Sequence, residues 1–516
     1  MTISHPDPAG GLRPQGPKAA SQFVHSAAQF VATNAEGRIV AWAIVGFAGV
    51  WMLYDTVSLL PVALHWDASE AALWAQHFAF GYKHPPMTAW LFALWFAIFP
   101  RADWAAHLLA VTICAITLAV SWRLSRDHLD KNKALFGLAA LTFIPLFTFK
   151  ATELNANTVM MPFWAATLLF YLRARRGLGV WNALLAGAFA GLTMLGKYWA
   201  VYLFAGMAVA SVIGPDTRRF WRSPAPYLMA VGGAAVIAPH LYWYVSQGGG
   251  SSYAFIRASV MEQTSFTATL AGSVRYLLGV IAYAAGPLVL LAALRPSSAA
   301  LRDIAWPADA ARRQALILFL VPLLLPALVN LLWPHRLTAA WTYPNWALLP
   351  VVLYASRQLV IDTTAAAAAG LAAVAMVVLA LIASPVVAYE KLKGEPDPNR
   401  PDAQQLASVA ERLAAGAPVR LFWGSPALAN GLPFYSPGMR PLDADPSSAE
   451  GIAASKKAGL LIVCLDSDTP CRSTEAVSAG GAAEHRSDDI IIQHTFLGFA
   501  GPATKAHVTV VPASAQ

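Results

Sequence analysis

The sequence predicts an α-helical polytopic membrane protein of about 11–13 transmembrane helices, followed by a small C-terminal α/β domain outside the membrane. Three observations carry this. Of 516 residues, 57% are hydrophobic and only 12% charged, against about 45–50% apolar and about 25% charged for an average soluble domain. Long apolar stretches recur between residues 39 and 389, separated by short polar loops. From residue 390 onward the composition becomes polar and mixed. With 36 Lys and Arg and 28 Asp and Glu, the chain cannot coat a soluble surface of its size. That arithmetic excludes a soluble globular enzyme, a disordered chain and a nucleic-acid-binding protein.

Taken in order, residues 1–38 are rich in Gly, Pro, Ser and Ala and lack an apolar pattern. They predict a loose cytoplasmic tail, not a signal peptide, because no apolar segment with a small-residue cleavage site follows directly. The membrane domain, 39–389, holds apolar stretches at about 39–61, 86–100, 104–123, 134–149, 158–172, 180–195, 198–213, 225–245, 274–295, 315–333, 342–356 and 364–389. Several are shorter than the ~20 residues of a perpendicular span, so polar or aromatic ends must extend them.

Basic loops set the orientation. Arg123, Arg126, Lys131 and Lys133 form one cluster; Arg173, Arg175 and Arg176 a second; Arg218, Arg219 and Arg222 a third; Arg312 and Arg313 close another loop. Placing all of them inside satisfies the positive-inside rule and accounts for the net charge of +8. The loops 62–85, 150–157, 246–273 and 334–341 then face outward, as does everything after residue 390. Parity allows only one net crossing between 62 and 123, which predicts that 86–100 is tilted, re-entrant or juxtamembrane unless one basic cluster breaks the rule.

Residues 390–516 begin with a polar hinge, Lys391 to Pro401, and an Ala-rich amphipathic stretch, 402–415. Short apolar runs at 418–423, 459–464 and 489–493 follow, as expected of strands in a small α/β domain. Cys114 lies in an apolar run and is inert packing, whereas Cys464 and Cys471 can pair if this domain occupies an oxidising compartment.

The first outward loop carries the densest polar chemistry: His65-Trp-Asp67-Ala-Ser-Glu70-Ala-Ala-Leu-Trp74, then Gly81-Tyr82-Lys83-His84-Pro85-Pro86. If 67–78 is helical, Asp67 and Glu70 share a face, with Trp74 on the same side. A capped interfacial helix with aromatic anchors would also show part of this pattern. It would not require a Lys-His pair braced by two prolines.

These residues resemble a family. Asp67-x-x-Glu70-Ala71, Gly81-Tyr82-x-His84-Pro85-Pro86 and Ala89-Trp90 are similar to the first periplasmic loop of GT-C fold glycosyltransferases, in the protein O-mannosyltransferase-like branch that includes the lipid A aminoarabinose transferases. Further resemblances follow in order: Asn155-Ala-Asn157 with Phe163-Trp164, Gly191-Leu-Thr-Met-Leu-Gly196-Lys197-Tyr198, Ala238-Pro239-His240 with Trp243, and His335-Arg336 with Pro344 and Leu348-Leu349-Pro350. Together they extend over residues 55–350.

The resemblance implies inverting sugar transfer from a polyprenyl-phosphate donor, with membrane lipid around the prenyl chain and a lipid-, glycan- or, less in keeping with the lipid A branch, protein-linked acceptor. It implies an active site and C-terminal domain on the periplasmic side of a bacterial inner membrane. No nucleotide cofactor is expected, since no Gly-rich phosphate motif follows a strand. Asp67 or Glu70 is the expected general base, with Asp67 ahead because Glu70 can orient it. Relatives often carry adjacent Asp-Glu where this chain has Ser69-Glu70, and Asp where it has Asn157. Asn157 cannot be a base, so it is expected to hydrogen-bond donor or acceptor, with Glu153 as a substitute carboxylate. Lys83 and His84 occupy a phosphate-contacting stretch, and Lys197 and Arg336 are further phosphate candidates. A lysine snorkelling to the interface would look the same as Lys197. His84, His240 and His335 are candidate ligands for a divalent metal, although a histidine beside proline also serves as a hydrogen-bonded structural residue. Glu262 is an additional ligand or base candidate.

Two other classes compete. A transporter or lipid flippase would share the hydropathy, and Asp55 within the first span points weakly that way. A noncatalytic scaffold would leave the Asp67–His84 cluster unexplained.

Overall fold

The computed structural model describes residues 16–82, 84–151, 153–214, 216–248, 250, 254, 257, 261, 265–394, 403–480 and 484–513. Lys83 and Glu262, both singled out above, lie outside the described residues.

The N-terminal segment is not uniformly loose. Helix α1 (Gly16–Thr33) leads into α2 (Glu36–Ser58) and is tied down where Lys131 Nζ donates to the Val31 carbonyl at 2.6 Å. Phe23, Ala27, Phe30 and Val31 recur at helical spacing, but the intervening Ser, His and Gln dilute the signal below that of a span. The helical bundle continues through α3 (Trp66–Trp74), α4 (Met87–Phe96), α5 (Asp103–Arg126), α6 (Lys131–Leu141), α7 (Ala156–Arg175), α8 (Val180–Gly196), α9 (Val201–Val212), α10 (Thr217–Arg222) and α11 (Ala225–Trp243). It is completed by α12 (Phe266–Tyr283), α13 (Ala285–Ala293), α14 (Ser298–Ala305), α15 (Ala310–Leu332), α16 (Leu349–Tyr354) and α17 (Thr363–Leu392).

Among the described residues, six helices are long and apolar enough to cross a membrane: α2, α5, α11 with its extension to Ser246, α12, α15 and α17. Within α17 only 17% of the apolar window is buried by protein, and Val374, Leu379, Ile382 and Val386 are exposed. Water would penalise such a surface; hydrocarbon does not. The chain is a multi-pass membrane protein. Helix α4, at ten residues, rises about 15 Å and is half the length a crossing needs.

One expected span takes a different form. Residues 342–356 form a 3-10 stretch, Ala339–Leu348, followed by α16. Pro344 and Pro350 interrupt the helical ladder, and Tyr343, Trp346 and Tyr354 are almost completely buried among the other helices. This apolar segment belongs to the protein core, which periodicity alone cannot separate from a lipid-facing one. Close packing also sets how nearly α8 and α11 approach each other. A Cβ on Gly187 would sit 1.9 Å from the Met229 carbonyl, so only glycine allows the two backbones to approach this closely.

The C-terminal domain is α/β. It opens with α18 (Gln404–Ala414), β1 (Leu421–Gly424), α19 (Pro426–Ala429), α20 (Leu432–Tyr435), β2 (Arg440–Pro441), α21 (Ala449–Ala458) and β3 (Leu460–Leu465). It closes with α22 (Thr469–Gly480), β4 (Arg486–Ile492), the small pair β5 (Thr495–Phe496) and β6 (Phe499–Ala500), and β7 (Thr504–Val511). The main sheet has order β2-β1-β3-β7-β4, with β1 parallel to β2 and β3, and β7 antiparallel to β3 and β4. Cys464 and Cys471 are disulfide-bonded and join β3 to α22; Cys114 is free and buried.

Candidate active site

Four separate stretches of chain meet at one end of the bundle around a cavity of about 610 Å³. The wall from the first loop presents Asp67, Glu70 and Trp74 from α3, with His84 beyond it. Glu153 and Asn157 come from the start of α7, Lys197 from the end of α8, and His335 and Arg336 from the loop after α15. Eight of the eleven residues singled out in the sequence therefore line one cavity.

Helix α3 explains how two carboxylates come to face it. His65 caps the helix, its Nδ1 accepting from the Asp67 N–H at 3.3 Å. Because that nitrogen is an acceptor, its 3.6 Å approach to Asp67 Oδ2 is not an ion pair. The opposite face, Ala68, Ser69, Ala71 and Ala72, is about 1% exposed and packs into an apolar cluster with Phe92 and Phe434. The three- and four-residue steps from Asp67 to Glu70 to Trp74 then leave those side chains toward the cavity. Downstream, Trp74 stacks on Tyr82 and meets His84 edge-on, each at 5.5 Å between ring centroids.

Asn155 caps α7. Its Oδ1 accepts from the Asn157 and Thr158 backbone N–H groups at 2.9 and 3.3 Å, and from the Asn157 side chain at 3.1 Å. That fixes the Asn157 amide, whose Oδ1 accepts from Lys197 Nζ at 3.0 Å. Lys197 also lies 4.4 Å from the centroid of the Trp341 ring. Burial pushes the Lys197 amine down to about 8, with the negative charge of Asp67 pulling the other way. The cavity reaches this side chain, so solvent moderates the burial. The group that accepts from Lys197 is a neutral amide, which holds the ammonium without neutralising it. Arg336 is exposed at the rim and has no ion pair or side-chain hydrogen bond among the described residues. Glu153 differs: it lines the cavity with Lys150 Nζ 2.8 Å from its Oε1, so its carboxylate is ion-paired.

The histidines do not assemble. His240 is 4% exposed inside α11, with Nδ1 donating to the Phe80 carbonyl at 2.6 Å and Nε2 3.0 Å from the Tyr198 hydroxyl. Both ring nitrogens hold structure. His335 Nδ1 lies 2.8 Å from the Trp333 carbonyl. Among the described residues, no three His, Cys, Asp or Glu side chains gather as a metal centre. The set His84, His240 and His335 therefore does not fit a shared metal.

Several lining residues escaped the sequence reading. Asn155 entered the sequence reading only within a resemblance, although Asn-Ala-Asn-Thr is an N-cap pattern; Tyr202 and Trp341 carry no local signal that distinguishes them from core aromatics. A further surprise is the C-terminal domain, which clasps α3 from behind. Ser69 Oγ donates to the Gly431 carbonyl at 2.9 Å and accepts from the Phe434 N–H at 3.3 Å. Tyr435 donates to Asp103 at 2.9 Å. Asp55, by contrast, is 1% exposed and does not line the cavity.

Residues 83–243 match the family model described as dolichyl-phosphate-mannose-protein mannosyltransferase. The chain is 28% identical over 182 residues to the lipid A galacturonosyltransferase RgtD, and 26% identical over 255 residues to the lipopolysaccharide core galacturonosyltransferase RgtA, both of Rhizobium johnstonii. These matches cover 34% and 46% of this chain and span 37% and 48% of those relatives. In three dimensions it resembles ArnT from Cupriavidus metallidurans, solved bound to undecaprenyl phosphate, with a TM-score of 0.59 and 15% identity over 92% of this chain and 98% of that one. The apo form of the same protein gives a TM-score of 0.60 with 13% identity and the same coverage. The fold is the GT-C-like one of ArnT, and parts of the sequence are similar to the protein mannosyltransferase model and to the two galacturonosyltransferases.

Proposed function

We propose that this GT-C-fold membrane protein transfers a sugar from a polyprenyl-phosphate donor to an envelope glycolipid or polysaccharide, at the periplasmic face of a bacterial inner membrane. The observation that carries the reading is the cavity itself, with two carboxylates on one wall and two cations, Lys197 and Arg336, from other segments. Inverting transfer needs that division. The acceptor oxygen attacks the anomeric carbon on the face opposite the phosphate and passes its proton to a carboxylate, for which Asp67 is the candidate. The bond from the anomeric carbon to the phosphate oxygen breaks, and its electron pair leaves with polyprenyl phosphate. Lys197 and Arg336 stabilise the developing phosphate charge, and Asn157 positions Lys197 without cancelling it. Glu70, one turn from Asp67, biases where the proton settles.

Independent features agree. The ArnT structure holds undecaprenyl phosphate in the same fold, and both curated relatives carry names of glycolipid galacturonosyltransferases. The Cys464–Cys471 disulfide suits an oxidising compartment for the C-terminal domain. All the basic clusters used for orientation lie away from the cavity, at the opposite helix ends.

The test is mass spectrometry of envelope lipids and glycans from a deletion strain, complemented with wild type or Asp67→Asn. One missing sugar, restored only by wild type, is the expected result, and a hexuronic acid is the first mass to seek. An unchanged envelope profile overturns the reading.

A further inference from the structure

A second cavity, of about 780 Å³, lies where the C-terminal domain meets the loop after α3. Arg420 and Arg440 line it from the β1–β2 edge, Lys457 and Glu450 from α21, Asp443 from the turn after β2, and His77 from the loop. The Arg440 N–H donates to the Arg420 carbonyl at 2.9 Å, so the two backbones run side by side at this edge, and both residues line the cavity. Among the described residues, none of Arg420, Arg440 and Lys457 makes an ion pair or side-chain hydrogen bond, although two carboxylates line the same space. Such a set suits one ligand chemistry. Guanidinium and ammonium groups take phosphate oxygens, while carboxylates accept from sugar hydroxyls.

The loop between residues 74 and 84 faces both cavities. Trp74 and His84 line the first. His77, three residues after Trp74, lines the second and accepts through its carbonyl from the Tyr82 hydroxyl at 2.5 Å. The contacts of Ser69 with Gly431 and Phe434 hold the two walls in fixed relation. We propose that this second cavity binds the phosphorylated saccharide headgroup of the acceptor glycolipid and presents it to the first. The proposal rests on the glycosyl-transfer reading of the first cavity.

The experiment measures binding of bis-phosphorylated lipid A to the full-length protein in nanodiscs, alongside transfer from a polyprenyl-phosphate sugar. Arg420→Glu with Arg440→Glu should weaken binding by about tenfold or more, as two charge-assisted contacts become repulsive. Lys457→Glu, on a separate helix, should weaken it less. Chemically dephosphorylated lipid A should bind weakly to wild type and variants alike, and Asp67→Asn should bind like wild type while transferring about 10²–10⁴-fold more slowly. Unchanged lipid A affinity in the double variant, with an unchanged melting temperature, overturns this site and leaves the transfer reading standing. Full displacement of lipid A by an equal concentration of inorganic phosphate overturns the headgroup assignment in favour of a free-anion site. Charge-dependent binding in a protein that transfers no sugar supports the phosphosugar site and overturns the transfer reading instead.

Discussion

At the end of the bundle where α5 and α7 stop, Arg173 binds Asp127 through two contacts of 2.5 and 3.1 Å, Arg126 binds Glu36 at 2.6 Å, and Arg312 binds Asp303 at 2.6 Å. At the end where α7 begins, Lys197 faces an amide, Arg336 faces the cavity rim, and Asp67 and Glu70 line a cavity wall. A cavity of about 420 Å³ exists at the basic end too, lined by Asp127, His128, Lys133, Arg176 and Arg357 among others. Its acids are already engaged: Asp130 and Asp309 cap α6 and α15, and Asp127 holds Arg173. The difference is that the acids named at the basic end are committed to caps and ion pairs, whereas at the other end the Lys197 ammonium is held by the neutral amide of Asn157. Lys150 and Glu153 form an ion pair at the cavity end.

The contrast can be broken most sharply at Asp67. Asp67→Asn should lower sugar transfer about 10²–10⁴-fold, the usual worth of a general base, without changing the melting temperature; transfer at wild-type rate would remove the carboxylate wall from the chemistry. Arg312→Met should do the reverse. Side chains of Arg312 and Asp303 are 9% and 17% exposed, and breaking such a buried pair costs about 3–5 kcal/mol. Thermal unfolding would read that loss, with turnover per folded molecule unchanged.

Lys197→Met should raise the donor KM about 10–100-fold, as expected for one charge-assisted hydrogen bond. Asn157→Asp should weaken donor binding less, by neutralising the ammonium it now holds; measured donor affinity in the two variants separates positioning from charge. The smallest effect is with pH. Since burial holds Lys197 at about 8, its charged form is complete below that value, and donor affinity should fall as pH rises through it. Lys197→Arg should flatten the profile between pH 7 and 9, because guanidinium stays charged. At the basic end the acid limb differs. Burial would push Asp303 up, but hydrogen bonds from Ser356 and Arg312 hold it down to about 2. Its stabilising share is therefore complete above the ordinary carboxylate range and lost as pH falls through about 2, and Asp303→Asn should remove that acid dependence from thermal melts.

Much of this site was legible because the relevant signals are short. Asp67, Glu70 and Trp74 lie within two helical turns, so their common face follows from spacing, and His84 stands out beside paired prolines. Other features needed the fold. His240 looked like a helix-end ligand because proline precedes it, yet its two nitrogens are occupied by Phe80 and Tyr198, one of them far away in sequence. The ion pair of Glu153 with Lys150, three residues away, likewise depends on how the loop folds. Helix α1 went unnoticed because its apolar stripe is narrow and interrupted, and Ala339–Leu348 passed for a span because a buried apolar segment and a lipid-facing one have the same composition.

Composition and charge placement alone determined that this is a membrane protein with one basic end, because the low charge count and the loop arginines are properties of the chain whatever its packing. Local spacing determined that α3 carries a carboxylate pair. The tertiary structure alone decided which loops meet. It brought residues 65–88, 153–157, 197–202 and 335–343 around one volume, set Asn157 against Lys197, and placed the C-terminal domain behind Ser69. Hydropathy encodes how each helix partitions between water, lipid and protein, but says nothing of which neighbour it packs against. That choice depends on side-chain shape and close backbone contacts such as Gly187 against Met229, and the chemistry of the cavity depends on it.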